Sequence, residues 1–359
     1  MYTTFIVYLR LCLLPLSALY NLVTTLRNIA YDKAILKSTK IGIPTISIGN
    51  ITVGGTGKSP HIHYLVHLLQ NKYNIAVVSR GYGRKTQGFH YVNATNTAGE
   101  VGDEPLQCKK KYPTILVAVG EKRAPAAQKI LQDYTTTSLL LLDDAFQHRS
   151  IKRDIDIVLI EYNWLLKTDY LLPAGNLRES IQGLHRASLI IVTKCPVGMQ
   201  PIAEAKLQLD IPIFYSYITY SDELTHAYTN EKIPLSLDNY LVISGIANPV
   251  PLYEYLNSTT INYVSKEFAD HYLYSSKDIE EIVFFCTKNN LTKIITTEKD
   301  AVRLMEFLPL FQKNKIDVYY LPISISFTES EKFDAYIQSL IHFFDYSYHI
   351  QKGSKLPML

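Results

Sequence analysis

The sequence predicts an α/β protein: a mostly parallel sheet with helices on both faces, then a smaller C-terminal α/β domain, with a membrane-associated helix at the N-terminus. Three observations carry this. Short apolar runs recur at the spacing of strands that alternate with helices, and each ends in polar or charged residues. One of them, residues 46–48, feeds a glycine-rich turn that opens a helix at Gly57-Lys58-Ser59. From about Asp222 to Pro234 the chain turns polar, and a second set of such runs follows. The expected organisation is a helix over 1–30, a core domain over 31–225 and a smaller domain over 226–350.

Residues 5–26 are nearly continuous apolar sequence, broken by Arg10, Pro15 and Asn21 and followed by Arg27, Lys33, Lys37 and Lys40. The run lacks the Ala-x-Ala-like site that closes a signal peptide. A spanning helix needs about 20 apolar residues, and Arg10 and Pro15 interrupt this one. An interfacial helix with its basic residues toward anionic head groups and an ordinary core helix are the two readings left open.

The next element reads as a phosphate loop. Glycines let backbone N–H groups curl around oxyanions, and the helix that follows adds its positive end. Thr52, Val53, Gly54, Gly55, Thr56, Gly57, Lys58 and Ser59 are the candidate nucleotide-binding residues. Lys58 would reach the outer phosphates, and the Ser59 hydroxyl would sit on Mg²⁺. Thr52 stands where the strict pattern has its first glycine. Without its context the turn would be a strand-to-helix connection with an incidental lysine; the strand before and the helix after favour phosphate.

Further apolar runs are Ile75–Ser79, leading into Arg80-Gly81-Tyr82-Gly83-Arg84, and 138–142, ending in Asp143-Asp144. Residues 155–160 end at Glu161, and 189–192 end in Thr193-Lys194. Parallel strands joined by right-handed crossovers place ligands at their carboxyl ends, where these polar residues fall. The second set comprises 240–244, 261–264, Lys293–Thr297 and 318–322, closed by helical periodicity over 330–344. The tail from Gln351 reads as loose.

Composition excludes some classes. With 359 residues, 47% hydrophobic and 19% charged, the chain is globular rather than disordered. A net charge of +3 is too small to point to nucleic acid. Cys12, Cys108, Cys195 and Cys286 form no Cys-x-x-Cys pair and read as reduced thiols with packing roles.

Several residues could carry chemistry. An acid at the end of a buried strand, downstream of a phosphate loop, commonly holds Mg²⁺ directly or through water, which fits Asp143 and Asp144; Asp144 could equally cap a helix. Gly102-Asp103-Glu104-Pro105 sets two carboxylates on a turn, one to take a proton and one to help hold metal, unless the turn is a solvated acidic loop. Arg80, Arg84, Arg123 and Arg178 suit phosphate oxygens if the fold gathers them. His63 and His67 share a helix face but form an incomplete metal set.

These motifs, in this order, resemble a known family. The matching blocks are Gly49-Asn50 with Gly54-Gly55-Thr56-Gly57-Lys58-Ser59-Pro60, Ser79-Arg80-Gly81-Tyr82-Gly83-Arg84 and Val101-Gly102-Asp103-Glu104-Pro105. Asp143-Asp144-Ala145-Phe146-Gln147-His148-Arg149 and Leu172-Pro173-Ala174-Gly175-Asn176-Leu177-Arg178-Glu179 follow. Gly245-Ile246-Ala247-Asn248-Pro249, Asp270-His271-Tyr272 and Thr297-Glu298-Lys299-Asp300 complete the set. Together they resemble the tetraacyldisaccharide 4′-kinase (lipid A 4′-kinase) family of Gram-negative bacteria, as far as about residue 305.

The resemblance implies a P-loop NTPase-like kinase that uses ATP and Mg²⁺ to phosphorylate the 4′-hydroxyl of a tetraacylated glucosamine disaccharide 1-phosphate. It implies a monomer without a nucleic-acid partner, at the cytoplasmic face of the bacterial inner membrane, peripheral or anchored by the N-terminal helix. Lys58 and Ser59 match the phosphate-loop lysine and the magnesium-side hydroxyl. Asp103 matches the proposed base, and His271 its partner from the second domain, so the pair would bridge two domains and assemble on closure. Glu104, Asp143 and Asp144, with Gln147 beside them, match metal-side residues, and Arg123 and Arg178 match basic residues near the phosphates. Ala145, Asn176, Ser180 and Ala247 depart from the residues usual in the family and bear on local loop geometry.

The rival class is a P-loop GTPase or ATPase acting as a switch or a metal-insertion accessory protein. Guanine readers use Asn/Thr-Lys-x-Asp after a strand. Thr193-Lys194-Cys195-Pro196 has proline in place of the aspartate, and Thr297-Glu298-Lys299-Asp300 has its lysine one place late.

Overall fold

A computed structural model describes residues 10–196 and 198–352 of the chain. The start of the apolar N-terminal run and nearly all of the tail expected to be loose lie outside these residues. The architecture is the expected α/β class, in two compact units. The first unit takes the described residues up to Arg80, then Lys122–Ile218, then those from Ile325 onward; the second takes Gly81–Glu121 and Thr219–Ser324. The units are thus assembled from separated segments, where the sequence reading used contiguous ones.

Two local causes account for the difference. The strand Ile323–Phe327 adds to the first unit's sheet beside Ile213–Tyr220. The helix Ser330–Lys352 then packs Phe333 against Phe327, with ring centroids 3.9 Å apart, and against Phe214 at 5.1 Å. Tyr64 of the same unit donates to Asp334 at 2.7 Å. Residues 81–121 join the second unit through the helix Asp103–Lys111, whose Gln107 and Lys111 both bond Glu298 of the helix Glu298–Leu304.

In the first unit the strands lie in the order Ile323–Phe327, Ile213–Tyr220, Leu189–Thr193, Ile155–Glu161, Thr45–Asn50, Leu139–Asp143, Ile75–Ser79. From Ile213–Tyr220 onward every neighbouring pair is parallel. The central strand Thr45–Asn50 is buried along its whole length, as expected for a parallel sheet with both faces covered, and this is why its neighbours read as unbroken apolar runs. Behind it the helix Lys58–Leu69 buries Ile62, Leu65, Val66 and Leu69. Gly49 has no room for a side chain: a Cβ there would stand 2.6 Å from Cβ of Phe146.

The second unit carries a sheet in the order Lys232–Pro234, Glu223–His226, Asp317–Leu321, Lys293–Thr297, Asn239–Ser244, Asn262–Glu267. Its last four strands are parallel, and the first two pair antiparallel. The polar stretch expected to separate domains is therefore a strand pair. The core gathers Leu241, Ile243, Ile279, Ile282, Ile294, Leu304 and Phe311. The helix Ser276–Lys288 opens with a reciprocal capping box between Ser275 and Asp278.

Among the described residues, the helix Leu14–Asp32 is bonded to the rest of its unit along one side. Ser17 donates to the Leu171 carbonyl at 2.8 Å, Tyr20 donates to the Arg178 carbonyl at 2.8 Å, and Arg149 pairs with Asp32. Leu16, Leu19, Leu22, Val23 and Leu26 remain exposed, a stripe at helical spacing. An ordinary core helix would bury that stripe. Among the described residues no helix is long and apolar enough to cross a membrane.

Candidate active site

The phosphate loop leaves the central strand at Asn50. Its first half is not a free turn: Thr52 forms a bridge with Leu177, Val53 donates to the Asn176 carbonyl at 2.8 Å, and Arg178 donates to the Ile51 carbonyl at 2.7 Å. A residue with normal strand geometry suits this place, which accounts for threonine where the strict pattern has glycine. Gly54 and Gly57 adopt positive φ, 112° and 90°, open to few other residues. Gly57 is the N-cap of the helix Lys58–Leu69, and no side chain caps that helix. The N–H groups of its first turn are therefore left without a side-chain acceptor, the arrangement that suits an anion.

The acidic turn lies at the end of the neighbouring strand. Asp143 accepts from Ser79 Oγ at 2.9 Å. Asp144 adopts left-handed backbone, and both of its oxygens accept from Arg178 Nη1 at 2.9 Å, with Lys58 Nζ 3.7 Å from Oδ1. Burial alone would raise the Asp144 pKa; Lys58 and Arg178 outweigh it and hold the carboxyl below its ordinary value. Arg123 is 1% exposed and donates Nη2 to the Asp143 carbonyl at 2.9 Å. Gln147 donates its amide to the Asn50 carbonyl at 2.8 Å and to Glu179 at 2.9 Å. These two side chains brace the acidic turn and the loop.

The first unit thus joins Lys58, Asp144 and Arg178 in one cluster, with Asp143, Arg123 and Gln147 linked into it by backbone and side-chain bonds. Among the described residues no group of three or more His, Cys, Asp or Glu is placed to hold a metal. A hydroxyl and one or two carboxylates nonetheless suit magnesium, which keeps water and phosphate oxygens as its other ligands. Ser59, in the first helical turn, and Asp143 and Asp144 offer that hard oxygen chemistry. Glu104, expected with them, belongs to the second unit, where Lys299 pairs with its carboxylate. Arg84 is also in the second unit, paired with Glu121.

The second unit holds Asp103 and His271 together. Asp103 opens the helix Asp103–Lys111 directly after Gly102, whose φ of 91° and crowding against Gly81 leave little choice of residue. His271, itself at φ 56°, places Nδ1 3.0 Å from Asp103 Oδ2, with its ring edge-on to Tyr82. The expected pairing is present, but it does not bridge two domains: both residues lie in one unit, because the helix that begins at Asp103 packs against Glu298–Leu304.

Sequence reasoning missed the cation beneath this pair. Arg303, 3% exposed, donates Nε to Asp103 Oδ2 at 2.9 Å and also reaches it through Nη2. Its Nη1 donates to Asp300 at 2.8 Å and to the Gly245 carbonyl at 2.9 Å. Asp300, fully buried, accepts from the Gly245 N–H at 2.9 Å and from Thr297. Burial would raise the Asp103 pKa; the His271 hydrogen bond and the Lys299 and Arg303 charges overcome it and hold the carboxyl far below the ordinary range. Arg303 lies on the short helix Glu298–Leu304, and no pattern in the neighbouring sequence marks it as buried.

Replacing Arg303 by methionine removes the cation paired with the buried Asp300 and leaves buried Asp103 with only His271 and the Lys299 charge. The expected cost is about 3–5 kcal/mol of stability, read as a lowered urea midpoint. A loss below about 1 kcal/mol, the scale of an exposed ion pair, would show that the network is weakly coupled to the fold.

Comparison with known proteins agrees with this geometry. The family model described as "LpxK: Tetraacyldisaccharide-1-P 4′-kinase" matches residues 9–342. The tetraacyldisaccharide 4′-kinase of Flavobacterium johnsoniae is 40% identical over 343 residues, 93% of this chain and 97% of that protein. The enzyme of the same name from Bacteroides thetaiotaomicron is 38% identical over 350 residues, 92% of each chain. Among solved structures, LpxK from Aquifex aeolicus in complex with ATP superimposes with a TM-score of 0.77 at 30% identity, covering 93% of this chain and 99% of that one.

Proposed function

The chain belongs to the tetraacyldisaccharide-1-P 4′-kinase family, and from that premise we propose that the first unit handles the phosphates of ATP while the Asp103–His271 pair of the second handles the acceptor hydroxyl. It is an ATP-dependent kinase of lipid A biosynthesis, transferring the γ-phosphoryl group to the 4′-hydroxyl of a tetraacylated disaccharide 1-phosphate. The observation that carries the division of roles is the cluster of Lys58, Arg178 and Asp144 at the phosphate-loop helix.

Phosphoryl transfer is catalysed mainly by positioning and charge neutralisation. Lys58 and Arg178 rest on Asp144 and can turn part of that charge toward a γ-phosphate. Ser59, Asp143 and Asp144 would hold magnesium, which neutralises charge on the β- and γ-oxygens when bound. On the acceptor side Asp103 was expected to be the base. Its Oδ2 is already engaged by Arg303 and His271, and its side chain is 6% exposed against 25% for His271. These facts favour the reverse division: His271 meets the hydroxyl and takes its proton as the oxygen–phosphorus bond forms, while Asp103 accepts the Nδ1–H and fixes the ring. ADP leaves with the electrons of the broken phosphoanhydride bond.

The exposed stripe of the helix Leu14–Asp32 gives the enzyme a means of reaching a lipid substrate. It supports peripheral attachment at the cytoplasmic face of the inner membrane, with the stripe in the head-group region.

Purified protein should transfer ³²P from ATP with Mg²⁺ to tetraacyldisaccharide 1-phosphate, and far less from GTP. Equal or better kcat/KM with GTP would favour the switch-protein reading. Lys58→Ala should lower kcat strongly and weaken ATP binding. His271→Ala and Asp103→Ala should each lower kcat by about 10²-fold or more with ATP affinity nearly unchanged. Because they act as a unit, the double variant should be little worse than the poorer single one; fully additive losses would separate their roles.

Replacing Leu19, Leu22 and Leu26 together by glutamate should release the protein from anionic vesicles and raise KM for vesicle-borne lipid, with Tm and ATP binding preserved. Retention on the vesicles would remove this stripe as the membrane contact.

A further inference from the structure

We propose that Thr193 and His61 are positioning residues for the phosphate loop: by holding the carbonyls of Thr56 and Gly57, they aim the N–H groups of Gly57 and Lys58 at the phosphates. The proposal rests on the reading that this loop binds ATP, and it goes beyond it by naming what keeps the loop in its binding shape.

The argument starts from the peptide plane. In a trans peptide the C=O and the following N–H point in opposite directions, and among the described residues the cis bond is confined to Leu172-Pro173. Fixing the Thr56 carbonyl therefore fixes the Gly57 N–H, and fixing the Gly57 carbonyl fixes the Lys58 N–H. Both carbonyls accept from side chains outside the loop, and the Gly57 carbonyl also accepts the His61 backbone N–H at 3.3 Å, the first bond of the helix. Thr193 Oγ1, at the end of the strand Leu189–Thr193, donates to Thr56 O at 3.0 Å. His61 Nδ1 lies 2.7 Å from Gly57 O. A carbonyl only accepts, so Nδ1 carries the proton.

The second arm reaches the sheet as well. With Nδ1 protonated, His61 Nε2 is an acceptor, and Ser216 Oγ on the strand Ile213–Tyr220 donates to it at 3.0 Å. Thr193, His61 and Ser216 are all buried. Burial pushes the His61 pKa down to about 4, against the opposing pull of the Gly57 bond, so the ring is neutral near pH 7. Inside the loop, Asn50 Nδ2 donates to Thr56 Oγ1 at 3.0 Å. The Thr56 side chain and two successive carbonyls are thus all bonded, around Gly57, whose positive φ few other residues adopt. Holding donors in place before the ligand arrives removes an ordering cost from binding. Thr193, the first residue of the failed guanine motif, acquires a use as a strut under the loop.

The test compares Thr193→Val, Thr193→Ser and Ser216→Ala in the full chain, with ATP and Mg²⁺ as the probe. Thr193→Val removes the hydroxyl at nearly constant volume. It should weaken ATP binding and raise KM for ATP by about 5- to 10-fold, the scale of one lost hydrogen bond, while KM for the lipid acceptor stays constant. Thr193→Ser keeps the hydroxyl and should restore ATP affinity. Ser216→Ala leaves His61 in place without its anchor and should weaken ATP in the same selective way. The proposal is overturned by wild-type ATP affinity in Thr193→Val, or by equal weakening in Thr193→Ser and Thr193→Val. If Thr193→Val does not fold, Ser216→Ala decides: unchanged ATP affinity overturns the proposal, and a selective loss supports it. A wild-type protein that binds no ATP would instead overturn the functional reading itself.

Discussion

In the first unit, the parallel pairing of Thr45–Asn50 with Leu139–Asp143 is the constraint on which the cluster of Lys58, Asp144 and Arg178 depends. Its register sets Ile48 beside Asp143, so the chain leaves both strands at the same carboxyl end of the sheet. The phosphate loop departs from one and the acidic turn from the other. Gly49 lets Phe146 close over the central strand, which brings Gln147 against the Asn50 carbonyl. A parallel sheet places strand ends of one polarity together. Lys58, Asp144 and Arg178 meet because of that polarity, although they are far apart in sequence.

Both units balance charge locally, in different ways. Around Asp144 the pairs are partly exposed, with side-chain accessibilities of 13% for Lys58 and 26% for Arg178. Such contacts can be exchanged for a ligand's oxygens at modest cost, since water still screens them. Around Asp103 the opposite holds. Arg303 and Asp300 are nearly inaccessible, and desolvated ions of this kind keep their partners because an unpaired one is costly. One cluster is built to change partners and the other to hold still, which suits a phosphate site and an orienting pair respectively.

The main elements were legible in the sequence because buried parallel strands are written as short apolar runs, and Leu139–Asp143 and Leu189–Thr193 show this directly. Glu223–His226 and Lys232–Pro234 were not, because a four-residue strand and a three-residue edge strand with exposed ends are too short and polar to stand out from a linker. The strand–turn–helix around Gly54, Gly57 and Lys58 was legible from its glycines, and the Asp103–His271 contact was implied by the family resemblance. The unit to which Asp103 belongs was not, since it depends on Gln107 and Lys111 meeting Glu298, a contact between distant segments. Arg303 escaped for a related reason: a single arginine on a short helix gives no local sign of being buried between two carboxylates. Arg123 and Gln147 were read as ligand-side residues; Arg123 donates to the Asp143 carbonyl, and Gln147 to the Asn50 carbonyl and the Glu179 carboxylate.

The route of the chain between the two units has a consequence for biosynthesis. The path runs from the first unit to the second, back to the first, again to the second, and ends in the first. Emerging from the ribosome, the first unit therefore lacks its edge strand and its closing helix until residues beyond Ile325 appear. By then the whole second unit has already been made. Domains tend to fold as units during synthesis, so the second unit can close on itself while the first still has an open sheet edge beside Ile213–Tyr220. An open edge is a template for pairing with other chains. The nascent protein is most vulnerable to misassembly in this late window, and no single cut in the chain separates one complete unit from the other.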